Sequence, residues 1–184
     1  MIRQLKFASI VSAALFAAST ANAANPQVGG APMFSDKNII ENAVNSADHT
    51  TLVTAVKAAD LVDALMGEGP FTVFAPVNDA FAALPDGTVE TLLKPENKAQ
   101  LTKVLTAHVI AGKISAPELR KKAKASSDGF FHLKTLSGDA VSAQVRGDSV
   151  YLYDENGQAS RITIADVNQS NGVIHVVDKV LLPK

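Results

Sequence analysis

The chain has 184 residues, the usual length of one domain with a short extension. Its 17 basic and 18 acidic side chains balance, which does not favour a nucleic-acid-binding protein, where basic residues would predominate. The absence of cysteine excludes disulfide bonds and thiolate chemistry, so a hydrophobic core must supply the stability.

Residues 1–23 have the pattern of a signal peptide. Arg3 and Lys6 form a short basic region, residues 7–18 are apolar but too few to span a bilayer, and Ala21-Asn22-Ala23 is a cleavage site of small residues. We predict cleavage before Ala24 and a soluble mature protein, periplasmic or extracellular. No other segment is long and apolar enough to predict a transmembrane helix.

Residues 24–35 contain two prolines and a glycine pair, which predicts a flexible lead-in to a domain over 36–184. Helical periodicity follows at 38–44 and 51–66, and the apolar segment 71–75 predicts a buried strand. Asn78 is predicted to cap a short helix that carries Phe81. Further helices are predicted at 88–93, at about 97–108 and, from a possible capping box at Ser115 and Glu118, towards Lys124.

The last third of the chain has the pattern of strands. Segments 130–136, 140–145, 150–153, 161–165 and 173–182 are separated by residues typical of turns, and Asn156-Gly157 predicts a type I′ hairpin. Helices followed by a β-meander predict an α+β fold with mainly antiparallel strands.

Two segments resemble the signatures of fasciclin-like domains. Residues 71–81 (FTVFAPVNDAF) resemble the first signature and 171–183 (NGVIHVVDKVLLP) the second, while 101–112 with His108 resembles the central helix and its Tyr-His motif. The sequence is thus identified as a member of this family over about residues 36–184. The resemblance implies a fasciclin-like fold, a twisted antiparallel β-wedge or sandwich flanked by several α-helices.

The resemblance also implies a non-enzymatic role in adhesion, with an unidentified protein or a cell-surface or matrix polymer as the partner. Some relatives are reported to bind carotenoid-like pigments, so a carrier of a small apolar ligand is the alternative. Ala107 stands where the family often has tyrosine, the residue tied to integrin binding in animal members. The resemblance therefore does not extend that activity to this chain.

The signature residues are predicted to be structural rather than catalytic. Gly172 is predicted to adopt a positive φ in a turn that Asn171 closes, and the apolar run after it is typical of a strand covered on both faces. The residues concerned are Thr72, Phe74, Pro76, Asn78, Phe81, His108, Asn171, Gly172, His175 and Asp178.

No motif indicates a catalytic, metal or cofactor site. The four histidines lack the spacing of zinc ligands, and neither a nucleophile elbow nor a phosphate-binding loop is present. His108 and His175 lie in apolar segments and are predicted to be buried and neutral. The basic cluster at 120–124 favours a solvated helix end, with weak binding of anionic partners as the alternative.

Arg146-Gly147-Asp148 is a candidate binding site because it is an integrin-type tripeptide. Apolar residues alternate on both sides of it, which predicts an exposed hairpin tip. Two interpretations stay open. The tripeptide is either an adhesive loop with Arg146 and Asp148 pointing outward, or only a turn.

Overall fold

The computed structural model describes residues 25–184. The predicted signal peptide lies outside the described residues, so its cleavage stays a prediction. Within the described part, no helix combines the length and the apolar character needed to cross a membrane.

Short helices dominate the first half of the described chain. They are α1 (Ile39–Ala43), α2 (Thr50–Ala58), α3 (Val62–Met66), α4 (Asn78–Ala82), α5 (Thr88–Leu92), α6 (Lys98–Thr106) and α7 (Ala116–Ala125), with 3-10 turns at Ala47–His49 and Pro95–Asn97. The Ser115 side chain accepts a hydrogen bond from the Glu118 amide and so caps α7. The Glu118 carboxylate pairs with Lys122 at 2.8 Å.

Seven strands form one mixed sheet in the order β2-β1-β7-β6-β5-β4-β3. They are β1 (Phe71–Pro76), β2 (Val109–Ala111), β3 (Phe130–Lys134), β4 (Ala140–Arg146), β5 (Ser149–Tyr153), β6 (Ala159–Gln169) and β7 (Gly172–Val177). The two strands that carry the signatures, β1 and β7, pair in parallel, and the other pairings are antiparallel. The structure confirms the predicted α+β class.

Two hydrophobic clusters cover opposite faces of the β1–β7 pair. Val73 and Ala75 of β1 belong to the larger cluster, which packs against α1–α6. Phe74, which points the other way, belongs to the cluster that includes Leu119 of α7. All six residues of β7 are buried, as expected for a strand covered on both faces.

Residues 25–35 pack against the domain, which differs from the predicted flexible lead-in. Val28 and Met33 are only 4% and 7% exposed and belong to the larger cluster. The Asn25 side chain also exchanges hydrogen bonds with the backbone of Asn168 in β6. Burial of two apolar side chains outweighs the flexibility that prolines and glycines favour.

The structure has one strand that was not predicted and lacks one predicted turn. Residues 109–111, which directly follow the helix predicted at about 97–108, form β2 and pair with β1. Asn156-Gly157 does not form a type I′ turn, because only Gly157 has a positive φ, at 79°. The Asp154 carboxylate accepts the amides of Asn156 and Gln158 at 2.9 Å each and shapes a longer loop with a glycine bulge.

Candidate functional site

Asn78 of the first signature does not cap its own helix, contrary to the sequence-based prediction. α4 begins at Asn78, and Val77 occupies the N-cap position. The Asn78 Oδ1 accepts hydrogen bonds from the Thr51 amide at 3.0 Å and from the Thr50 hydroxyl at 3.2 Å. Asn78 therefore supplies an acceptor to the free amides at the start of α2, and it ties α4 to that helix.

Asn171 and Gly172 of the second signature join the helices to the sheet. The Asn171 Oδ1 accepts from the Ile39 amide at the start of α1 at 3.1 Å, and its Nδ2 donates to the Leu65 carbonyl at 2.8 Å. Gly172 does not have a positive φ, which corrects the prediction. A Cβ atom at Gly172 would lie 2.1 Å from the carbonyl oxygen of Phe71, so close backbone approach is what requires glycine.

His108 fastens the C-terminal segment to α6. Its Nδ1 donates to the Val104 carbonyl at 2.8 Å, and its Nε2 accepts from the Leu181 amide at 2.8 Å, which fixes one neutral tautomer. Burial lowers the pKa of His108 from about 6.5 to about 4, against the opposing effects of the hydrogen bond to the Val104 carbonyl and of the charge of Asp154. The ring is therefore a neutral structural link at neutral pH.

His175 forms a second buried link, between β7 and the chain before α7. Its Nδ1 accepts from the Asp166 amide at 3.2 Å, and its Nε2 donates to the Ile114 carbonyl at 2.9 Å. Burial lowers the pKa of His175 as well. The ring stacks on Phe74 at a centroid distance of 5.7 Å.

Acidification should weaken the fold through His108. The unfolded state takes up the proton near pH 6.5 and the folded state only near pH 4, so this stability is complete above about pH 6.5 and is lost as the pH falls towards 4. Between pH 7 and 4.5 the loss due to His108 should be about 2 kcal/mol. Urea unfolding of wild type and His108→Gln at both pH values measures it, and an equal pH-dependent loss in the two proteins would contradict the assignment.

The other signature residues also have internal partners. The Thr72 hydroxyl donates to the Gly112 carbonyl at 2.6 Å and accepts from the Ile114 amide at 2.9 Å. The Asp178 carboxylate accepts from the Arg161 amide at 2.8 Å. The remaining three are buried, namely Phe74, Pro76 and Phe81. The polar signature side chains described above thus each have a hydrogen-bond partner within the described fold.

Arg146 is the last residue of β4, and Gly147 and Asp148 form the loop to β5 at an exposed hairpin tip. Gly147 has a φ of 57°, which suits the first position of a two-residue hairpin loop. The Arg146 side chain lies back over the neighbouring strand β5 and does not point outward, as an adhesive loop would require. Its guanidinium carbon lies 5.6 Å from the ring centre of Tyr151 and 5.3 Å from that of Tyr153.

The basic cluster of α7 is in part engaged by neighbouring groups. Arg120 donates to the backbone carbonyl of Asp148 at 2.7 Å and so braces the hairpin tip. Lys122 pairs with Glu118 and lies 4.8 Å from the ring centre of Phe131. These contacts support the interpretation of the cluster as an exposed helix face.

The outward face of β3 and β4 carries three hydrogen-bonded polar side chains that no sequence motif indicated. The Asp128 carboxylate lies 2.8 Å from His132 Nε2, and the His132 Nδ1 lies 2.8 Å from the Ser142 hydroxyl. Hydrogen bonds from Ser126, His132 and the Phe130 amide hold the pKa of Asp128 well below its usual range. His132 and Asp128 are 62% and 49% exposed, so water reaches these side chains freely, and the two contacts to its nitrogens orient the His132 ring.

An apolar cavity of about 140 Å³ lies between the helices and the sheet. In the described part of the chain, every buried side-chain nitrogen and oxygen has a hydrogen-bond partner. No unpaired polar group of that kind faces the cavity, so its wall offers mainly apolar contacts. A cavity of about 150 Å³ is large enough for benzene. Residues that line it include Ile40, Val53, Leu61, Val73, Leu105 and Ile174.

Comparison with known proteins finds a match over most of the chain. Residues 47–183 match the family model described as Fasciclin domain. Protein sll1483 of Synechocystis sp. is 51% identical over 145 residues, which are 79% of this chain and 73% of that protein. Immunogenic protein MPB70 of Mycobacterium bovis is 32% identical over 146 residues, or 77% of this chain and 66% of that one.

Larger proteins match over part of their length. Transforming growth factor-beta-induced protein ig-h3 of Sus scrofa is 34% identical over 137 residues, which cover 72% of this chain and 17% of that protein. A solved FAS1 domain pair from the insect cell adhesion molecule fasciclin I has a TM-score of 0.71 at 18% identity, and the match covers 79% of this chain and 51% of that one. The structural likeness supports the fold.

Proposed function

Because the chain belongs to the fasciclin domain family, we propose that it is an exported, non-enzymatic module that adheres to another protein or to a cell-surface or matrix polymer. The family match over residues 47–183 carries this proposal. Two observations support it: the signature side chains are occupied by internal contacts, and the fold resembles a domain pair of an insect cell adhesion molecule. Binding would therefore use the exposed surface.

Export rests on residues 1–23, whose basic, apolar and small-residue regions follow the order of a signal peptide. We place the mature protein in the periplasm or outside the cell, beginning at Ala24. The partner would then be a component of the envelope or of the extracellular matrix.

The integrin-type reading of Arg146-Gly147-Asp148 receives less support from the geometry. The adhesive interpretation expects Arg146 to point outward, and Arg146 lies over Tyr151 and Tyr153 instead. The tip is also a suitable place for a two-residue turn. We propose that the tripeptide serves as a turn and that Arg146 acts as part of the adjoining sheet face.

The alternative is a carrier of a small apolar ligand, which the cavity between helices and sheet favours. At about 140 Å³ the cavity suits a single six-membered ring. A carotenoid is many times longer than such a ring, so it would require α1–α3 to move away from the sheet. Ligand pockets usually have volumes of about 300–1,000 Å³, so this cavity is smaller than a usual ligand pocket.

Capture from the native envelope tests the proposal. Immobilised purified protein should retain a defined polymer or protein from the envelope of its own host, and Asp148→Glu should retain the same amount. Protein purified from that host should show no absorption band in the visible range. Failure to retain any envelope component would contradict the adhesion proposal, and a stoichiometric pigment band would favour the carrier.

A further inference from the structure

The outward face of β3, β4 and β5 presents aromatic and polar side chains in two rows. Phe130 lies opposite Gln144, which lies opposite Tyr151, while His132 and Tyr153 flank Ser142 in the next row. Neighbouring strands are about 5 Å apart, so side chains in one row touch. We call this surface the aromatic face and define it by six residues: Phe130, His132, Gln144, Arg146, Tyr151 and Tyr153.

Arg146 is held in one place at the centre of the aromatic face. Its guanidinium lies over the Tyr151 and Tyr153 rings, and its Nε donates to the Gln144 side-chain oxygen at 2.8 Å. The Tyr153 hydroxyl donates to the same oxygen at 3.2 Å. These contacts reduce the rotational freedom that a guanidinium would lose on binding.

Arg146 also lacks an anionic partner among residues 25–184, where no carboxylate lies within 4 Å of it. Its two terminal nitrogens make no hydrogen bond to the described residues. A planar guanidinium with free terminal nitrogens matches a carboxylate in a bidentate pair. The face is therefore complementary to a ligand that carries carboxylates.

Phe130 and His132 form a stacking surface next to this cation. Their rings are inclined by only 21° at a centroid distance of 6.2 Å, and Asp128 and Ser142 hold the His132 ring from both nitrogens. Phe130 lies opposite Gln144. Arg146 is two residues beyond Gln144, or about 7 Å further along β4. A ring stacked on this pair would place a substituent within reach of the guanidinium.

The composition of the face favours a sugar polymer over a protein as the partner. Aromatic residues and arginine are also enriched in protein interfaces, but this face has no aliphatic side chain larger than alanine that could contribute to the apolar core of such an interface. A pyranose combines an apolar C–H face with hydroxyl groups, which suits aromatic rings beside amide and hydroxyl side chains. The other outward residues of these strands and of the start of β6 are Lys134, Ala140, Ser142, Ser149, Ala159 and Arg161.

We propose that the aromatic face binds an acidic polysaccharide built from uronic acids. A sugar ring stacks on Phe130 and His132, and its carboxylate pairs with Arg146. The proposal rests on the adhesive function and narrows its partner to an anionic glycan. It assigns no role to the hairpin loop beyond holding Arg146 in position.

Polygalacturonate is the probe, and affinity electrophoresis of the purified protein is the measurement. Polygalacturonate should retard the wild type, and neutral dextran should not. The dissociation constant for polyglutamate at equal charge should be at least tenfold higher than that for polygalacturonate. Arg146→Gln should raise the dissociation constant for polygalacturonate at least tenfold, and Phe130→Ala at least fivefold. Arg146→Lys keeps the charge without the planar fork and should still raise it at least threefold.

Lys124→Gln is the matched control, because it removes one exposed positive charge from α7, away from the aromatic face. It should change the dissociation constant less than twofold, and all variants should unfold at the wild-type urea midpoint. No retardation by polygalacturonate, equal losses in Arg146→Gln and Lys124→Gln, or tighter binding of polyglutamate would each overturn the proposal. Tighter binding of polyglutamate would indicate an acidic protein segment instead.

The capture experiment separates failure of this inference from failure of the adhesive function. If wild type and Arg146→Gln retain the same envelope component equally, the module is adhesive but does not use the aromatic face. If Arg146→Gln loses the component and the component contains uronic acid, both proposals are supported.

Discussion

Replacement of Phe74 by alanine should lower the free energy of unfolding by about 3–5 kcal/mol, the usual cost of removing a buried phenylalanine ring. Phe74 has no exposed surface and belongs to the cluster beneath α7. Its ring stacks on His175, and its amide donates to the His108 carbonyl at 2.8 Å. The cavity left by alanine would therefore lie between the two histidine links, where the backbone is held and cannot collapse freely.

Urea unfolding at pH 7 measures this loss, and Phe34→Ala is the matched control. Phe34 is 44% exposed, so the same change there should stay within about 0.5 kcal/mol. Equal midpoints for Phe74→Ala and Phe34→Ala would mean that Phe74 does not belong to the core.

The fold class could be predicted from local patterns, because the alternation in β3–β5 and the apolar run of β7 depend only on which face each residue occupies. β2 could not be predicted this way. A run of three apolar residues after a helix, Val109 to Ala111, suits the end of that helix as well as a strand. Its pairing with β1 decides between the two, and a local pattern contains no pairing partner.

Contacts that a side chain makes with a different helix or strand could not be predicted either. The sequence places Asn78 at a helix start, which is correct, but its amide acts on α2, whose start is 28 residues earlier in the chain. The aromatic face depends in the same way on strand register. Tyr151 comes beside Gln144 and Phe130 only through the pairing of three strands. A tertiary contact thus determines what each of these polar and aromatic groups does.

Gly172→Ala should lower the free energy of unfolding by about 3 kcal/mol, near the upper end of the range for inserting one methyl group into a packed core. The new Cβ would lie 2.1 Å from the carbonyl oxygen and 2.9 Å from the amide nitrogen of Phe71. These are backbone atoms of the neighbouring strand, so no side-chain rotation relieves the overlap. β1 and β7 would have to separate at the first pair of their parallel register, Phe71 opposite Gly172.

Gly157→Ala separates this effect from the cost of an unfavourable φ. Gly157 has a φ of 79° and open space around the position of a Cβ, so alanine there should cost only about 1 kcal/mol through backbone strain. Urea unfolding compares the two variants, and hydrogen exchange of the Phe71 amide, which donates to the Asn171 carbonyl at 3.0 Å, reports on the strand junction. Exchange at Phe71 should accelerate in Gly172→Ala and stay unchanged in Gly157→Ala. A loss of 1 kcal/mol or less in Gly172→Ala, with unchanged exchange at Phe71, would contradict this account. It would mean that β1 and β7 tolerate a side chain between them, so close packing would not require glycine at position 172.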